Sequence, residues 1–161
     1  MFDFVAEFCK RLNSLKPSEL SRLRRATSEP STDPRIFDIL ARLEMNSPEW
    51  AKSKLDICSV LYAICYQCPN NEIENFNFGS VLERNNFSEI RMKALLETDS
   101  KNLNYRLRQA LRFINSKRVF LDWNKIIKDI LSWDSDEKRI QRKWAEGYYA
   151  REILNNKDEE K

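Results

Sequence analysis

Histidine is absent from the 161 residues, and glycine occurs only twice, as Gly79 and Gly147. Without imidazole, the chain cannot build Ser-His-Asp or Cys-His nucleophile systems, H-E-x-x-H metalloprotease sites or histidine-ligated zinc sites. The two glycines also cannot form either standard phosphate-binding loop, G-x-G-x-x-G or G-x-x-x-x-G-K-[ST]. Because tight turns use glycine, so few glycines also argue against a hairpin-rich β fold. These absences remove several common classes of hydrolase and nucleotide-binding enzyme.

Long hydrophobic runs are also missing. The longest apolar segment, residues 58–66, is interrupted by Ser59 and has about half of the roughly 20 residues that cross a bilayer. We interpret it as a buried core helix. The first ten residues carry Asp3 and Glu7, whereas a secretory signal needs a basic start and a clean apolar stretch. We therefore expect a cytoplasmic protein without a membrane anchor.

The chain has four cysteines: Cys9, Cys58, Cys65 and Cys68. The last two have the C-x-x-C spacing of redox and metal sites. A zinc site would need two further thiolates or imidazoles at suitable spacing, and a thioredoxin-like site would need a βαβ context. The sequence has neither, so we expect all four cysteines to act as small apolar groups in or near the core, without disulfides.

Carboxylates alone can hold the metals of a two-metal nuclease, since such sites use oxygen ligands. Asp122, Asp129, Asp134 and Asp136 are the residues that such a site would use. Nothing in their spacing makes them converge, and Asp122 is placed to cap a helix. The sequence therefore predicts neither a metal-dependent active site nor a cofactor.

Apolar residues recur at three- and four-residue steps along most of the chain, which is typical of amphipathic helices. The predicted helices span residues 4–15, 19–26, 36–44, 49–66, 79–85, 88–96, 103–115, 122–132 and 136–154, with a polar, frayed tail after them. Ser18 and Ser88 are predicted N-caps. Residues 1–161 are thus expected to form one all-α domain of about eight short helices, with a subdivision into two helical halves near residues 69–78.

Charge is unevenly distributed along the sequence. The net charge is only +3, from 28 Lys and Arg against 25 Asp and Glu. Residues 91–128, however, hold ten basic and three acidic side chains, a net charge of +7, whereas residues 1–78 have a net charge of −1. The second half of the chain is therefore the candidate for binding a polyanion.

The helix predicted at 103–115 has a basic stripe opposite its apolar face. At 100° per residue, one face holds Leu103, Leu107, Ala110, Leu111 and Ile114. The opposite face holds Lys101, Tyr105, Arg108 and Arg112. Arginines engage phosphate oxygens in pairs, and a tyrosine can stack on an unpaired base. The stripe indicates single-stranded or heteroduplex nucleic acid, although a solvated helix face would have the same pattern.

Two further basic groups lie outside that helix. Arg22, Arg24 and Arg25 come at the end of a predicted helix, where the helix dipole also favours cations. Arg139, Arg142 and Lys143 lie opposite the apolar face of the last predicted helix. We interpret the aromatic residues of that apolar face as core rather than as a binding platform.

Several short motifs, in order over residues 20–150, resemble the CasB family, the small subunit of the type I-E CRISPR surveillance complex, Cascade. They are Leu23-Arg24-Arg25-Ala26 with Pro30, Gly79-Ser80-Val81-Leu82, Phe87-Ser88-Glu89-Ile90-Arg91 with Leu95-Leu96, Leu121-Asp122-Trp123, Ile130-Leu131-Ser132-Trp133, and Arg142-Lys143-Trp144-Ala145 with Tyr148-Tyr149.

This resemblance implies a non-enzymatic helical subunit that contacts a second copy of itself and the large and backbone subunits of Cascade. It would hold crRNA and target DNA, stabilise the R-loop and guide the displaced non-target strand. The pair Arg24 and Arg25, together with Arg112, match basic positions of the family, and Trp123, Trp133 and Trp144 match positions that we interpret as core. The charge pattern adds the remaining predicted nucleic-acid contacts, which are Lys101, Arg108, Lys117, Arg118, Arg142 and Lys143.

Two alternatives stay open from the residues alone. The first is a helical adaptor whose basic face meets an acidic protein, and the second is a cryptic nuclease that uses the carboxylates named above. Salt dependence separates nucleic-acid binding from the adaptor, because phosphate contacts release counterions.

Overall fold

The computed structural model describes residues 2–159, with the surroundings of side chains given for residues 2–151. Its α-helices are α1 (Phe4–Asn13), α2 (Pro17–Arg24), α3 (Phe37–Leu43), α4 (Lys52–Ile64), α5 (Phe78–Arg84), α6 (Glu89–Glu97), α7 (Ser100–Asn115), α8 (Trp123–Leu131) and α9 (Arg139–Glu159). Short 3-10 turns occupy Pro30–Thr32, Pro34–Ile36, Glu49–Ala51 and Asp136–Lys138. The all-α prediction is confirmed. No helix within these residues is long and apolar enough to cross a membrane.

Most helices begin where a side chain satisfies the free amides of the first turn. The predicted caps Ser88 of α6 and Asp122 of α8 are confirmed, since each accepts a hydrogen bond from the third residue of its helix. The predicted cap Ser18 is wrong. Helix α2 begins at Pro17, two residues before the predicted start at residue 19, because proline has no amide to satisfy and its φ already suits a helix.

Two predicted helix boundaries move in ways that affect the surface. The helix predicted at 49–66 is a 3-10 turn followed by α4, which ends at Ile64. Tyr66 therefore lies beyond the helix, and it is exposed rather than part of a buried core helix. Helix α9 continues to Glu159, so the predicted tail is helical to that point, and residues 160–161 lie outside the described residues.

Tryptophans form the centre of the core in the second half of the chain. Trp123, Trp133 and Trp144 are at most 1% exposed, which confirms their interpretation as core. The ring centroids of Trp133 and Trp144 are 5.1 Å apart, and Phe78 lies at the same distance from Trp144 in an edge contact. The four cysteines are buried and unpaired, as expected.

The segment near residues 69–78, at the predicted subdivision, is bound to the chain before α8. The amide of Asn71 donates to the carbonyl of Leu121 (2.9 Å), and the amide of Leu121 donates to the carbonyl of Pro69 (3.0 Å). Helix α4 packs on both α7 and α8, which follow this segment in sequence. Buried residues before and after the segment 69–78 belong to one hydrophobic cluster. Hydrogen bonds and packing contacts thus cross the position of the predicted subdivision, and the division into two halves stays a prediction.

Two buried acids face each other between the end of α3 and α4. Glu44 and Asp56 are only 8% and 7% exposed, and the hydroxyl of Ser31 donates to Asp56 at 2.6 Å. Burial, reinforced by the hydrogen bond and charge of Asp56, raises the pKa of Glu44 to about 9. Glu44 is therefore protonated in the native protein at neutral pH.

We expect Glu44→Gln to flatten the dependence of stability on pH. The native state holds the Glu44 proton up to about pH 9, whereas the unfolded chain releases it near its ordinary pKa of 4.5. The unfolded state binds fewer protons in this window, so native stability falls as pH rises through it. Glutamine removes that loss, a gain of roughly 3 kcal/mol at pH 7.5 relative to pH 5. Urea unfolding at the two pH values measures it, and an unchanged difference between them would contradict a protonated Glu44.

Candidate nucleic-acid interface

Helix α7 presents the predicted basic stripe to the surface. Its five predicted apolar positions are all buried, which confirms which face meets the core. On the other face, Lys101, Tyr105 and Arg112 are exposed, and Arg108 is half-buried. Asp99 caps the helix, so that α7 begins three residues before the predicted start at Leu103. The stripe is therefore carried by one regular helix.

The end of α2 leads into a loop that one carboxylate holds in place. Asp33 accepts the amide of Thr27 at 3.1 Å and two bonds from the guanidinium of Arg35, at 2.9 and 2.8 Å. The Arg35 guanidinium, together with the Thr27 amide, holds the pKa of Asp33 well below its usual range. The position of Thr27, two residues after Arg25, is thus fixed by its own loop.

Helix α7 docks on this loop through two side chains. The guanidinium of Arg108 donates to the carbonyl of Thr27 (3.2 Å) and to the side-chain oxygen of Asn104 (3.1 Å). Asn104 in turn donates to the carbonyl of Ser28 (2.8 Å). Burial and the nearby charge of Arg112 lower the pKa of Arg108. These bonds join the loop that follows α2 to the helix that carries Arg108 and Arg112.

Residues just past the end of α4 connect α2 to the turn after α7. The guanidinium of Arg24 lies 4.4 Å from the ring centroid of Tyr66. The side-chain amide of Gln67 donates to the Tyr66 hydroxyl (3.2 Å), and its oxygen accepts from Arg118 (2.8 Å). The backbone amide of Gln67 donates to Asn115 at 2.9 Å. A continuous chain of contacts thus runs from Arg24 to Arg118.

We call Arg24, Arg25, Arg108, Arg112 and Arg118 the basic cluster. Within residues 2–151, none of the five makes an ion pair with Asp or Glu. By contrast, Arg22 and Arg35 do so, with Asp38 and Asp33. Unneutralised like charges at close range repel each other, and a polyanion relieves that repulsion.

The other predicted contacts lie at or beyond the edges of the basic cluster. Lys117 is exposed next to Arg118, with its ammonium 5.2 Å from the ring of Phe113. Lys101 lies at the opposite end of α7. Arg142 is exposed on α9, and Lys143 forms an ion pair with the buried carboxylate of Asp129. Lys143 is therefore paired with a carboxylate of α8, whereas Arg142 is exposed and makes no ion pair within residues 2–151.

Sequence reasoning missed Tyr66 and Gln67 as parts of this surface. The sequence places Tyr66 in the apolar run 58–66, and only the end of α4 at Ile64 shows that it is exposed. One sequence signal does indicate that this helix ends soon after Tyr66. Pro69 and the asparagine-rich segment that follows it disfavour a helix. Contacts between residues so distant in sequence have no local pattern.

Within the part of the chain that the structure describes, no three Cys, Asp or Glu side chains are grouped to hold a metal ion. Asp122 caps α8 and also accepts the amide of Ile73. Asp129 accepts from Lys143 and from the indole of Trp144, and Asp134 accepts from Ser100 and Lys54. Each of these carboxylates thus has protein partners of its own.

The fold and the basic cluster together define a small all-α protein with an arginine-rich surface. A family model describes the particular kind: the chain belongs to the CRISPR-associated protein Cse2 (CRISPR_cse2) family, whose model matches residues 19–149. The resemblance to the CasB family is confirmed by this match.

A curated relative and two solved structures show how far the similarity extends. The chain is 38% identical over 62 residues to the CRISPR-associated protein Cse2 of Thermus thermophilus, a match that spans 38% of this chain and 35% of that protein. The crystal structure of M. ruber CasB superposes with a TM-score of 0.74 at 23% identity, covering 98% of each chain. A chain in the crystal structure of E. coli Cascade bound to a PAM-containing dsDNA target gives 0.69 at 18% identity, covering 93% of this chain and 96% of that one. These structures share the fold of this chain.

Proposed function

We propose that this chain is the non-catalytic small subunit of a type I-E CRISPR surveillance complex, and that its basic cluster binds nucleic-acid phosphates there. Membership of the Cse2 family supports the place in the complex. The observation that supports the binding role is that five arginines without an Asp or Glu partner within residues 2–151 lie at the end of α2, on α7 and in the turn after it, segments that hydrogen bonds join to one another.

Backbone contacts suit the energetics of strand exchange in such a complex. Guide pairing supplies the sequence reading, and replacing a DNA duplex with an RNA–DNA heteroduplex is nearly balanced in free energy. Protein contacts to phosphates tip that balance without reading bases. The basic cluster would bind phosphates of the crRNA, the target DNA or the displaced non-target strand. Lys101, Lys117 and Arg142 would extend this surface. The complex would work in the cytoplasm.

The protein partners follow from the same proposal. The chain would lie against the large and backbone subunits and against a second copy of itself, antiviral defence being the role of the whole complex. This role needs no metal, cofactor or catalytic side chain, because the subunit only binds and stabilises an opened duplex.

We expect Arg25→Ala/Arg112→Ala to weaken binding of single-stranded DNA about tenfold at low salt. Each phosphate contact that is lost reduces the number of counterions released on binding. The slope of log affinity against log salt should therefore become shallower by about 1.4 when two contacts to a single strand are lost. Fluorescence anisotropy at several salt concentrations measures both quantities, with circular dichroism to show that the fold is retained.

A matched control removes the same two charges elsewhere. Arg84 on α5 bonds to the carbonyl four residues before it, as Arg25 does, and Arg91 is exposed on α6. Arg84→Ala/Arg91→Ala should leave the salt slope at the wild-type value. Equal losses in the two double variants would show that net charge, and not the basic cluster, drives binding. Wild-type protein that binds no nucleic acid at low salt would favour the adaptor hypothesis instead.

A further inference from the structure

Tyr66 contacts Arg24 of the basic cluster and is joined to Arg118 through Gln67, while its ring stays exposed to solvent. Tyr66 is 57% exposed. The Arg24 guanidinium covers part of the ring at 4.4 Å, and Gln67 donates to the hydroxyl at 3.2 Å. The ring is therefore held from two directions while it remains accessible.

The charges on both sides of Tyr66 are positive. Arg24 lies against the ring, and Arg118 is joined to the Tyr66 hydroxyl through Gln67. A strand whose phosphates pass between these two arginines would bring a base to the ring. Every base has a π face, so the contact would not depend on sequence.

Tyr105, the aromatic residue of the predicted stripe, has different surroundings. It is 66% exposed, and the guanidinium of Arg106 lies 5.4 Å from its ring. It also lines a surface cleft together with Glu97 and Asp99. Two carboxylates against one arginine make this cleft unfavourable for phosphates. Tyr105 is thus an exposed tyrosine on the same protein without the electrostatic surroundings of Tyr66.

We propose that Tyr66 is a stacking platform for an unpaired base, which makes the basic cluster prefer single-stranded over duplex nucleic acid. This inference depends on the proposed function and names the form of ligand that the same site binds. A duplex keeps its bases stacked on one another, so it can use the arginines but not the ring. The arginines supply affinity for both forms, and Tyr66 supplies the difference between them.

The test compares Tyr66→Leu, Tyr66→Phe and the control Trp50→Leu in the full-length chain. Trp50 is an exposed aromatic residue that is not part of the basic cluster. The ligands are a single-stranded oligonucleotide carrying 2-aminopurine, an abasic oligonucleotide of equal length and a duplex, all at one low salt concentration. Tyr66→Leu should weaken single-strand binding about tenfold and leave abasic and duplex binding within about twofold of wild type. It should also abolish the fluorescence change of 2-aminopurine, whereas Tyr66→Phe and Trp50→Leu should retain it.

Other results would overturn the inference in distinguishable ways. An equal loss on single-stranded and abasic ligands would show that Tyr66 acts only by positioning Arg24. Unchanged binding in Tyr66→Leu, with wild-type salt dependence, would remove Tyr66 from the site while the proposed function stands. Wild-type protein that binds none of the three ligands would overturn this inference and the phosphate-binding role together.

Discussion

Replacement of Gly79 by alanine is expected to destabilise the protein by about 3 kcal/mol or more. Helices α5 and α9 cross in close contact at this point, and a Cβ atom on residue 79 would lie 2.7 Å from the carbonyl carbon of Trp144, with the carbonyl oxygen closer still. The obstacle is backbone, so it cannot rotate away as a side chain can. Relief requires the two helices to separate, which would disturb the contact of Trp144 with Phe78.

Gly147→Ala is the natural comparison, because it introduces the same methyl group into the same helix pair. There the new Cβ would meet the side chains of Asn77 and Ser80. Its distance to the Ser80 hydroxyl oxygen would be 2.7 Å. Side chains can shift, although Asn77 caps α5 and donates to the carbonyl of Lys143. We expect a loss of about 1–2 kcal/mol. Urea unfolding measures both variants, and a Gly79→Ala loss no larger than that of Gly147→Ala would contradict this packing.

Trp144→Ala is expected to cost about 4 kcal/mol, a large part of the roughly 5–15 kcal/mol that keeps a domain folded. The indole is fully buried between Trp133 and Phe78, so its removal leaves a large cavity. Its N–H also donates to Asp129 at 2.8 Å. Asp129 would keep only Lys143 as a side-chain partner, and a buried carboxylate that loses a donor is costly.

Trp50→Ala is the matched control, since Trp50 is 65% exposed and meets Phe4 only by an edge contact at 5.9 Å. It should change stability by less than about 1 kcal/mol. Trp144→Phe, which keeps a ring but removes the N–H, should fall between the two. Thermal or urea unfolding ranks the three variants. Equal losses from Trp144→Ala and Trp50→Ala would show that Trp144 is not part of the core.

Local patterns predicted the features of the fold that depend on neighbouring residues. The buried and exposed faces of α7 follow from its period of 3.6 residues, and the caps Ser88 and Asp122 follow from their place before an apolar run. The prediction failed at Ser18, where Pro17 starts α2 with Lys16 before it. Pro17 and Ser18 are adjacent, and both residue types favour a helix start. Here Pro17 takes the first helical position, and Ser18 lies inside the helix.

The candidate site could be predicted only in part. Its arginines follow from charge and resemblance, yet what assembles them is tertiary: Arg108 on the carbonyl of Thr27, and Gln67 between Tyr66 and Arg118. The ion pair of Lys143 with Asp129 likewise joins two helices, α9 and α8. Such contacts depend on how helices dock, and the side-chain spacing within one helix does not contain that information.

The most direct test of the proposed role is duplex opening by the assembled surveillance complex. The complex is assembled from its crRNA and partner subunits with the wild-type chain, with Arg25→Ala/Arg112→Ala, or with the control Arg84→Ala/Arg91→Ala, and equal subunit content is checked by gel filtration. Permanganate reactivity of thymines in the displaced strand then measures the open fraction of target DNA. We predict that the cluster variant assembles normally but opens less target than wild type, while the control variant matches wild type. Equal opening by all three complexes would contradict a role for the basic cluster in stabilising the R-loop.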